Sequence, residues 1–219
     1  MRTLWAAVRE LLITVGIALI LSSLVRIFLF QVFYVPSASM EDTLLLQDRI
    51  VATKITKPFT DIKRGEIVVF KDPGDWLPEY ESNRNFFLHF LSVVGLLPSD
   101  AGDDLVKRVI GTGGDTVKCC SENGRILING VELNDDSFIK PGAETNQVEF
   151  EITVPEKRVF VMGDNRPDSR DSRFHLETAY GTVPEKNIVG AVNLRIWPFS
   201  RFSTLRIPES FNLIPDAKN

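Results

Sequence analysis

Hydrophobic and polar positions divide this chain near residue 30. Upstream, residues 11–25 (LLITVGIALILSSLV) carry no charge, and after Arg26 the apolar run resumes as IFLF. Together, residues 11–30 reach the ~20 residues that a spanning helix needs. Arg26 falls near one end, where its long stem can carry the charge to the interface. Arg2 and Arg9 flank the other end, so the positive-inside rule puts the N-terminus in the cytoplasm and everything after about residue 30 outside. Two other readings compete. One is a cleaved secretory leader, with Arg2 and Arg9 as its basic start and the small residues Ser37 and Ser39 as its cleavage signal. The other is a buried helix of a soluble protein. Against it, the run is apolar around its whole circumference.

Downstream the apolar segments are short and β-rich. They predict strands at 49–53, 66–70, 105–110, 116–120, 125–128, 131–133, 148–154, 158–162 and 188–196. Lys63-Arg64-Gly65, Gly113-Gly114, Asn123-Gly124 and Pro184 punctuate them, and Asn129-Gly130 between RILI and VEL reads as a two-residue hairpin. No repeat of fixed period appears. The spacing predicts one mainly antiparallel β domain over 31–208, behind an anchor at 1–30 and followed by a tail at 209–219. Residues 75–104 interrupt the rhythm. Their apolar core, FFLHFLSVVGLL at 86–97, is too short to span and reads as a helix packed on the domain or lying on the membrane surface. His89 sits on that helix.

Composition narrows the class. With 219 residues, 44% hydrophobic and 25% charged, the chain is neither disordered, collagen-like nor polytopic. A net charge of −4 argues against a basic nucleic-acid binder. The only cysteines, Cys119 and Cys120, are adjacent, so they make neither a disulfide framework nor a four-ligand zinc site. They stay as thiols or join as a vicinal disulfide. Two histidines, His89 and His175, do not make a His-rich metal centre. Arg2, Arg9 and Arg26 against Glu10 leave the first 30 residues basic and the remainder acidic, which fits the orientation above.

Chemistry enters with Pro36-Ser37-Ala38-Ser39-Met40, directly after the apolar run. A serine in a small-residue turn after a fixed proline can hold its hydroxyl exposed, but it needs a base to act as a nucleophile. His175, four residues after Asp171, offers a Ser39–His175–Asp171 triad. Lys107 offers the alternative. It lies in LVKRVI on the face of Leu105 and Val109, where burial would lower its pKa from ~10.4 toward neutrality. Residues 163–173 (GDNRPDSRDSR) mix carboxylates and guanidinium groups. The spacing fits no EF-hand, and a self-neutralising network beside a site explains the balanced signs better than a metal. Gly111-Thr112-Gly113-Gly114 has no helix after it and reads as a tight turn, not a phosphate loop.

Taken in order, these pieces resemble the type I signal peptidases, the membrane-bound Ser/Lys serine endopeptidases that remove signal peptides from exported preproteins. The resemblance runs from the anchor through Val35-Pro36-Ser37-Ala38-Ser39-Met40 and Arg64-Gly65-Glu66-Ile67-Val68-Val69-Phe70. It continues through Lys107-Arg108-Val109-Ile110-Gly111 with Gly114-Asp115, then Gly163-Asp164-Asn165-Arg166 with Ser169, Asp171, Ser172 and Arg173. It closes at Val183-Pro184-Glu185 and Val189-Gly190, covering about residues 10–197. It implies Ser39 as nucleophile and Lys107 as general base. Ser37 would aid the Ser39 amide at the oxyanion, Ser169 would orient the lysine amine, and Asp171 and Arg173 would form a supporting pair. Val35, Met40, Leu105 and Val106 would line shallow pockets for small substrate residues, the substrate binding as an added strand. The implied partners are signal peptides, membrane lipid and a nearby export translocon, with no nucleic acid and no metal or organic cofactor. Cleavage after Ser39 would remove the motif itself, which decides between anchor and leader in favour of the anchor.

Some positions depart from the family pattern. Ala38 stands where many members carry glycine, Glu41-Asp42 precede Thr43 where proline is frequent, and the loop FHLETAY at 174–180 is longer than in the shortest members. Two rivals remain at this level. A self-cleaving Ser/Lys regulator would be soluble and carry a DNA-binding domain. A non-catalytic, membrane-anchored peptide-binding module on the same fold would have no need of both Ser39 and Lys107.

Overall fold

The apolar start of the chain and its β-rich remainder form separate parts of a computed structural model that describes residues 2–54, 61–74, 76–77, 104–145 and 148–217. The first part is helix α1 (Arg2–Phe28), 27 residues or about 40 Å long. Its stretch Leu4–Ser23 is long and apolar enough to cross a membrane, and none of it is buried against the rest of the chain. A helix of a soluble core buries its apolar stripe; here Leu11, Leu12 and Ile20 are all more than 60% exposed. The helix starts earlier and stops sooner than the apolar run 11–30, because Phe30 already opens the first strand.

That strand, β1 (Phe30–Tyr34), pairs antiparallel with β2 (Arg49–Lys54), Phe33 opposite Ile50. Phe33 and Val35 are core residues. Loss of everything up to Ser39 would strip an edge strand and two core side chains from the domain, which weighs against the cleaved-leader reading. The remaining strands are β3 (Ile67–Lys71), β4 (Asp104–Thr112), β5 (Thr116–Cys119), β6 (Ile126–Ile128), β7 (Val131–Glu132), β8 (Phe150–Thr153), β9 (Arg158–Met162), β10 (Val183–Pro184), β11 (Ile188–Trp197) and β12 (Ser203–Thr204). All nine strands expected from the pattern are present. β1, β10 and β12 were not anticipated: β1 is hidden in the tail of the apolar run, and the other two are two residues long.

Every pairing among the described residues is antiparallel. The mainly β, antiparallel class expected for this domain is therefore the one observed. A large sheet runs β1-β2-β11-β3-β4-β9-β10 with β12 on β11, and a small one runs β7-β6-β5-β8. Asn129 and Gly130, with φ of 52° and 82°, turn the β6–β7 hairpin with the positive dihedrals such a turn requires. The Gly111–Gly114 segment is a tight turn, its Thr112 carbonyl accepting from the Asp115 amide at 2.9 Å.

β3 reads IVVFK because it is buried on both faces. Ile67 and Val69 enter one cluster with Phe33, Val35, Met40, Leu44 and Val106, while Val68 and Phe70 enter another with Trp76, Val109 and Val161. A third cluster fills the space beside the small sheet, around Ile110, Val117, Ile126, Phe138 and Phe160. Phe211 and Ile214, from the expected tail, are buried there too. Cys119 and Cys120 are joined as a disulfide at the end of β5. Of the 75–104 segment, Trp76 packs edge-on against Phe70 and Asp104 belongs to β4. The rest, with the apolar core at 86–97 and His89, lies outside the described residues.

Candidate active site

β4 is the neighbour of β3 in the middle of the large sheet, and it carries two charged side chains where an apolar pair would be expected. Lys107 lies opposite Val68, and Arg108 lies opposite Ile67. Both are almost wholly buried, at 3% and 2% exposure. The Lys107 amine donates to Ser39 Oγ at 2.5 Å. Ser39 Oγ is also 3.2 Å from Ser37 Oγ.

Packing fixes Ser39 in place. It sits in a short 3-10 turn, Ala38–Met40, entered through an extended Ser37. Met40 and Leu44 bury their side chains in the core, and the Leu44 amide closes back on the Met40 carbonyl at 2.7 Å. On the upstream side, Val35 exchanges backbone bonds with Asp48 and Gln47. A second segment clamps the turn: the Asn165 amide donates to the Ser39 carbonyl and Asn165 Nδ2 to the Ala38 carbonyl, each at 3.0 Å. Gly163 is where the two segments touch. A Cβ there would collide with the Ser39 carbonyl and the Ser169 hydroxyl, so only glycine fits.

The 163–173 segment is a buried ionic network, as its balanced signs implied, but only one of its pairs is internal. Arg173 forks onto Asp171 through Nε and Nη2 at 2.8 and 2.9 Å, and the Gly163 amide donates to the same carboxylate at 3.0 Å. Asp164 instead takes a fork from Arg108 of β4, at 2.8 and 2.6 Å, and a bond from the Thr43 hydroxyl at 2.6 Å. Arg166 pairs with Asp135 from the arm after the small sheet's hairpin, at 2.9 Å. Asp168 and Arg170 stay at the surface.

Burial dominates the electrostatics of Lys107. It disfavours the ammonium and lowers the pKa from 10.5 to about 8. Asp171, Asp164 and Asp168 pull the other way, and Arg173 adds to the lowering. Burial alone would raise Asp171, but Arg173, the Gly163 amide and Lys107 outweigh it, and the carboxyl is held below its ordinary value.

Of the residues singled out from the sequence, Ser37, Ser39 and Lys107 come together directly. Asp171 and Arg173 form their pair behind them. Ser169 is buried, but its Oγ has no hydrogen-bond partner among the described residues, so the expected bond to the lysine amine is not formed. Val35, Met40 and Val106 share one apolar cluster, while half-buried Leu105 packs against the other. His175, the rival base, stacks on Trp76 with ring centroids 4.6 Å apart, and the Asp171 carboxylate is occupied by Arg173. Arg108, Asp164, Thr43 and Asn165 were given no role from the sequence. The one signal they offered was a second charge, Arg108, inside an apolar strand. No cluster of metal-ligating side chains occurs among the described residues.

A helix long enough to span, an antiparallel β domain and a buried serine–lysine pair define a class, and sequence comparison supplies the family. Residues 8–197 match the family described as signal peptidase, peptidase S26. The chain belongs to that family and is a peptidase, a hydrolase of peptide bonds. It is 36% identical to a probable signal peptidase I of Mycobacterium leprae, over 90% of this chain and 78% of that one. It is equally similar to a signal peptidase I of Mycobacterium tuberculosis, over 92% of this chain and 76% of the relative. A probable thylakoidal processing peptidase 2 of Arabidopsis thaliana is 31% identical over 86% of this chain and 44% of its own length. A solved signal peptidase I from Enterococcus faecalis overlaps 60% of this chain and 97% of its own at a TM-score of 0.38; the family assignment stands without it. Nothing in these matches favours the non-catalytic alternative.

Proposed function

We propose that Ser39 is the nucleophile and Lys107 the general base with which this serine endopeptidase removes N-terminal signal peptides from exported preproteins. The observation that carries the reading is the 2.5 Å bond from a buried lysine amine to the serine hydroxyl. Lys107 has no ion-pair partner among the described residues, and a pKa near 8 leaves a useful share of it neutral at physiological pH.

The chemistry follows from that arrangement. Neutral Lys107 takes the Ser39 proton as Oγ attacks the scissile carbonyl, giving a tetrahedral oxyanion. Ser37 Oγ and the Ser39 amide donate to it, a kind of contact worth ~2.7–4 kcal/mol per donor. The lysine ammonium returns the proton to the leaving amine, which is the new N-terminus of the mature protein. A water deprotonated by Lys107 then attacks the acyl-enzyme, and Ser39 recovers its proton as the signal peptide leaves. Ser169 Oγ is the hydroxyl we assign to orient the amine, and Asp171 with Arg173 holds that segment rigid. Val35, Met40, Leu105 and Val106 supply apolar surface for small residues before the cut, with the substrate added as a strand.

The anchor reading completes the proposal. Helix α1 spans the membrane with Arg2 and Arg9 inside, and the domain that begins at β1 and takes in Phe211 and Ile214 lies outside, against lipid and close to the export translocon. Incubation of the detergent-solubilised full chain with a preprotein, followed by N-terminal sequencing of the product, tests the reading. The expected product starts directly after the signal peptide and is absent with Ser39→Ala. Equal cleavage by a purified Ser39→Ala protein would sink the assignment.

A further inference from the structure

The small sheet lies apart from the chemistry, yet the chain that leaves it reaches back to the site, where the Thr43 hydroxyl donates to the Phe138 carbonyl at 3.3 Å and the Lys140 amide to the Asp164 carbonyl at 3.1 Å. After β7 the chain runs back as an arm over 133–145. Leu133 and Phe138 pin this arm into the core. Asp135 sits on it, 2% exposed, its carbonyl accepting from the Phe138 and Ile139 amides at 3.1 Å. Its carboxylate faces Arg166, which is wholly buried, with Nη1 at 2.9 Å; Arg125 is more distant, at 3.8 Å. Arg166 has two further partners. The Asp135 contact is an ion pair without a hydrogen bond, whereas Nη1 donates to Thr145 Oγ1 of the same arm at 3.0 Å and Nε donates to the Gly163 carbonyl at 3.1 Å. The Arg166 carbonyl in turn accepts from Arg173 Nη2 at 2.8 Å.

Arg166 therefore ties this arm to both ends of the 163–173 segment, its side chain to Gly163 and its main-chain carbonyl to Arg173. Gly163, whose carbonyl it holds, is the residue packed against the Ser39 carbonyl and the Ser169 hydroxyl. Arg173, which holds its carbonyl, forks onto the carboxylate facing Lys107. A guanidinium stays charged in a protein, so a buried one is held in place by whatever compensates it. The only carboxylate in ion-pair contact with Arg166 among the described residues is Asp135.

We infer that Asp135 is a positioning residue for the Ser39–Lys107 site, acting through Arg166 from the small sheet's arm. The inference rests on the reading of that site given above. Arg166 is faced by Asp135 and Thr145 from the arm, and by Asp164, Asp171 and Arg173 from its own segment. Lys107 is faced by Asp164, Asp168, Asp171 and Arg173. Without the Asp135 carboxylate, Arg166 turns its charge toward Asp164 and Asp171, the carboxylates that hold the lysine proton, and its grip on Gly163 slackens.

The test compares Asp135→Asn, Arg166→Gln and their combination in the full-length protein, with preprotein cleavage normalised to folded protein. For Asp135→Asn the expected kcat loss is between ~10- and ~100-fold, the scale of a misplacement near 1 Å at a reacting centre. KM should stay near that of the parent, and the acid limb of the kcat–pH profile should move to lower pH by ~0.3–0.5 unit. In the Arg166→Gln background, Asp135→Asn should cost nothing more, and the acid limb should return. A parental kcat in folded Asp135→Asn, a loss with an unmoved acid limb, or losses that multiply in the double variant would each overturn the inference. Should Asp135→Asn not fold, Thr145→Val removes the arm's other contact with Arg166 without stranding a charge. Its expected loss of about threefold must vanish in Arg166→Gln, and persistence there, or a parental kcat, overturns the strut. Ser39→Ala, run alongside, separates the two readings. Activity in Ser39→Ala refutes the site, whereas an inactive Ser39→Ala beside a parental Asp135→Asn refutes only the strut.

Discussion

The two faces of β4 at Lys107 and Arg108 present the same problem, a cation taken out of water, and answer it in opposite ways. Arg108 is saturated. It forks onto Asp164, donates Nη1 to the Gly65 carbonyl at 2.8 Å, and lies 4.5 Å from the centre of the Phe138 ring. One residue away, Lys107 has a serine hydroxyl in place of a carboxylate. A guanidinium cannot lose its proton, so it must be matched; an ammonium can, so the same burial becomes a pKa shift. The saturated cation holds the 163–173 segment against the sheet, and the under-matched one is left reactive. The comparison can be broken from either side.

The largest effect is expected at Lys107. Lys107→Ala removes the base and should lower kcat by at least ~10²–10⁴-fold, with the circular dichroism of the parent retained. Purified Lys107→Ala protein at near-parental kcat would show that the proton goes elsewhere. Arg108→Met should do the reverse. It strands the buried Asp164 carboxylate and should cost about 3–5 kcal/mol of stability, read as the shift in denaturant midpoint. A variant of parental stability would mean that Arg108 and Asp164 are no clamp.

Lys107→Met sharpens the contrast, because it removes the cost of an under-matched charge and leaves an apolar side chain of similar length. The folded pKa is near 8 and the unfolded value 10.5. Below pH 8 both states hold the proton and the folded state carries the whole penalty, about 3 kcal/mol. Between 8 and 10.5 the unfolded chain binds more proton than the folded one, so the parent gains stability as pH rises; above 10.5 the penalty is gone. Lys107→Met should therefore be the more stable protein by up to about 3 kcal/mol at pH 7, with the gap closing toward pH 10.5. A variant no more stable than the parent at any pH would mean that Lys107 is not desolvated. The same titration governs turnover: parental kcat should rise through pH about 8 as Lys107 becomes neutral. A flat kcat from pH 6 to 9 would contradict that.

The strands were legible because each covers one or both faces of a sheet and shows the period of two or the apolar run that this burial imposes. β1 was not, since FQVFY continues the apolar run of the helix and its pairing with β2 is a long-range fact. The serine–lysine pair was half legible. A lysine in LVKRVI announces burial, but the partner it reaches is 68 positions away and was assigned through the family resemblance. The charged segment 163–173 announced a network and misled about its partners. Asp164 and Arg166 pair outside it, with Arg108 and Asp135, and no local pattern encodes contacts so distant in sequence. Ser169 was expected to orient the lysine amine, yet its hydroxyl packs beside Gly163 and forms no bond to Lys107, a geometric detail that residue identity does not carry.

The smallest effect is expected at His175, the base that the sequence alone left open. Its ring lies parallel to that of Trp76, with an interplanar angle of 8°, and Trp76 is itself held by a bond from its amide to Asp72 Oδ1 at 3.2 Å. Burial and nearby Arg170 lower its pKa against the opposing pull of Asp171 and Asp72, so the imidazole is neutral at physiological pH. A neutral ring stacked on an indole contributes packing, on the order of 0.5–1.5 kcal/mol. His175→Ala should therefore lower stability by about 1 kcal/mol. Removing a packing contact outside the dyad should change kcat/KM by less than about threefold across pH 6–9. The distinction from Lys107 lies in which quantity moves. Loss of all turnover in a His175→Ala protein that unfolds at the parental temperature would move the base from Lys107 to His175, and the contrast between Lys107 and Arg108 would lose its functional meaning.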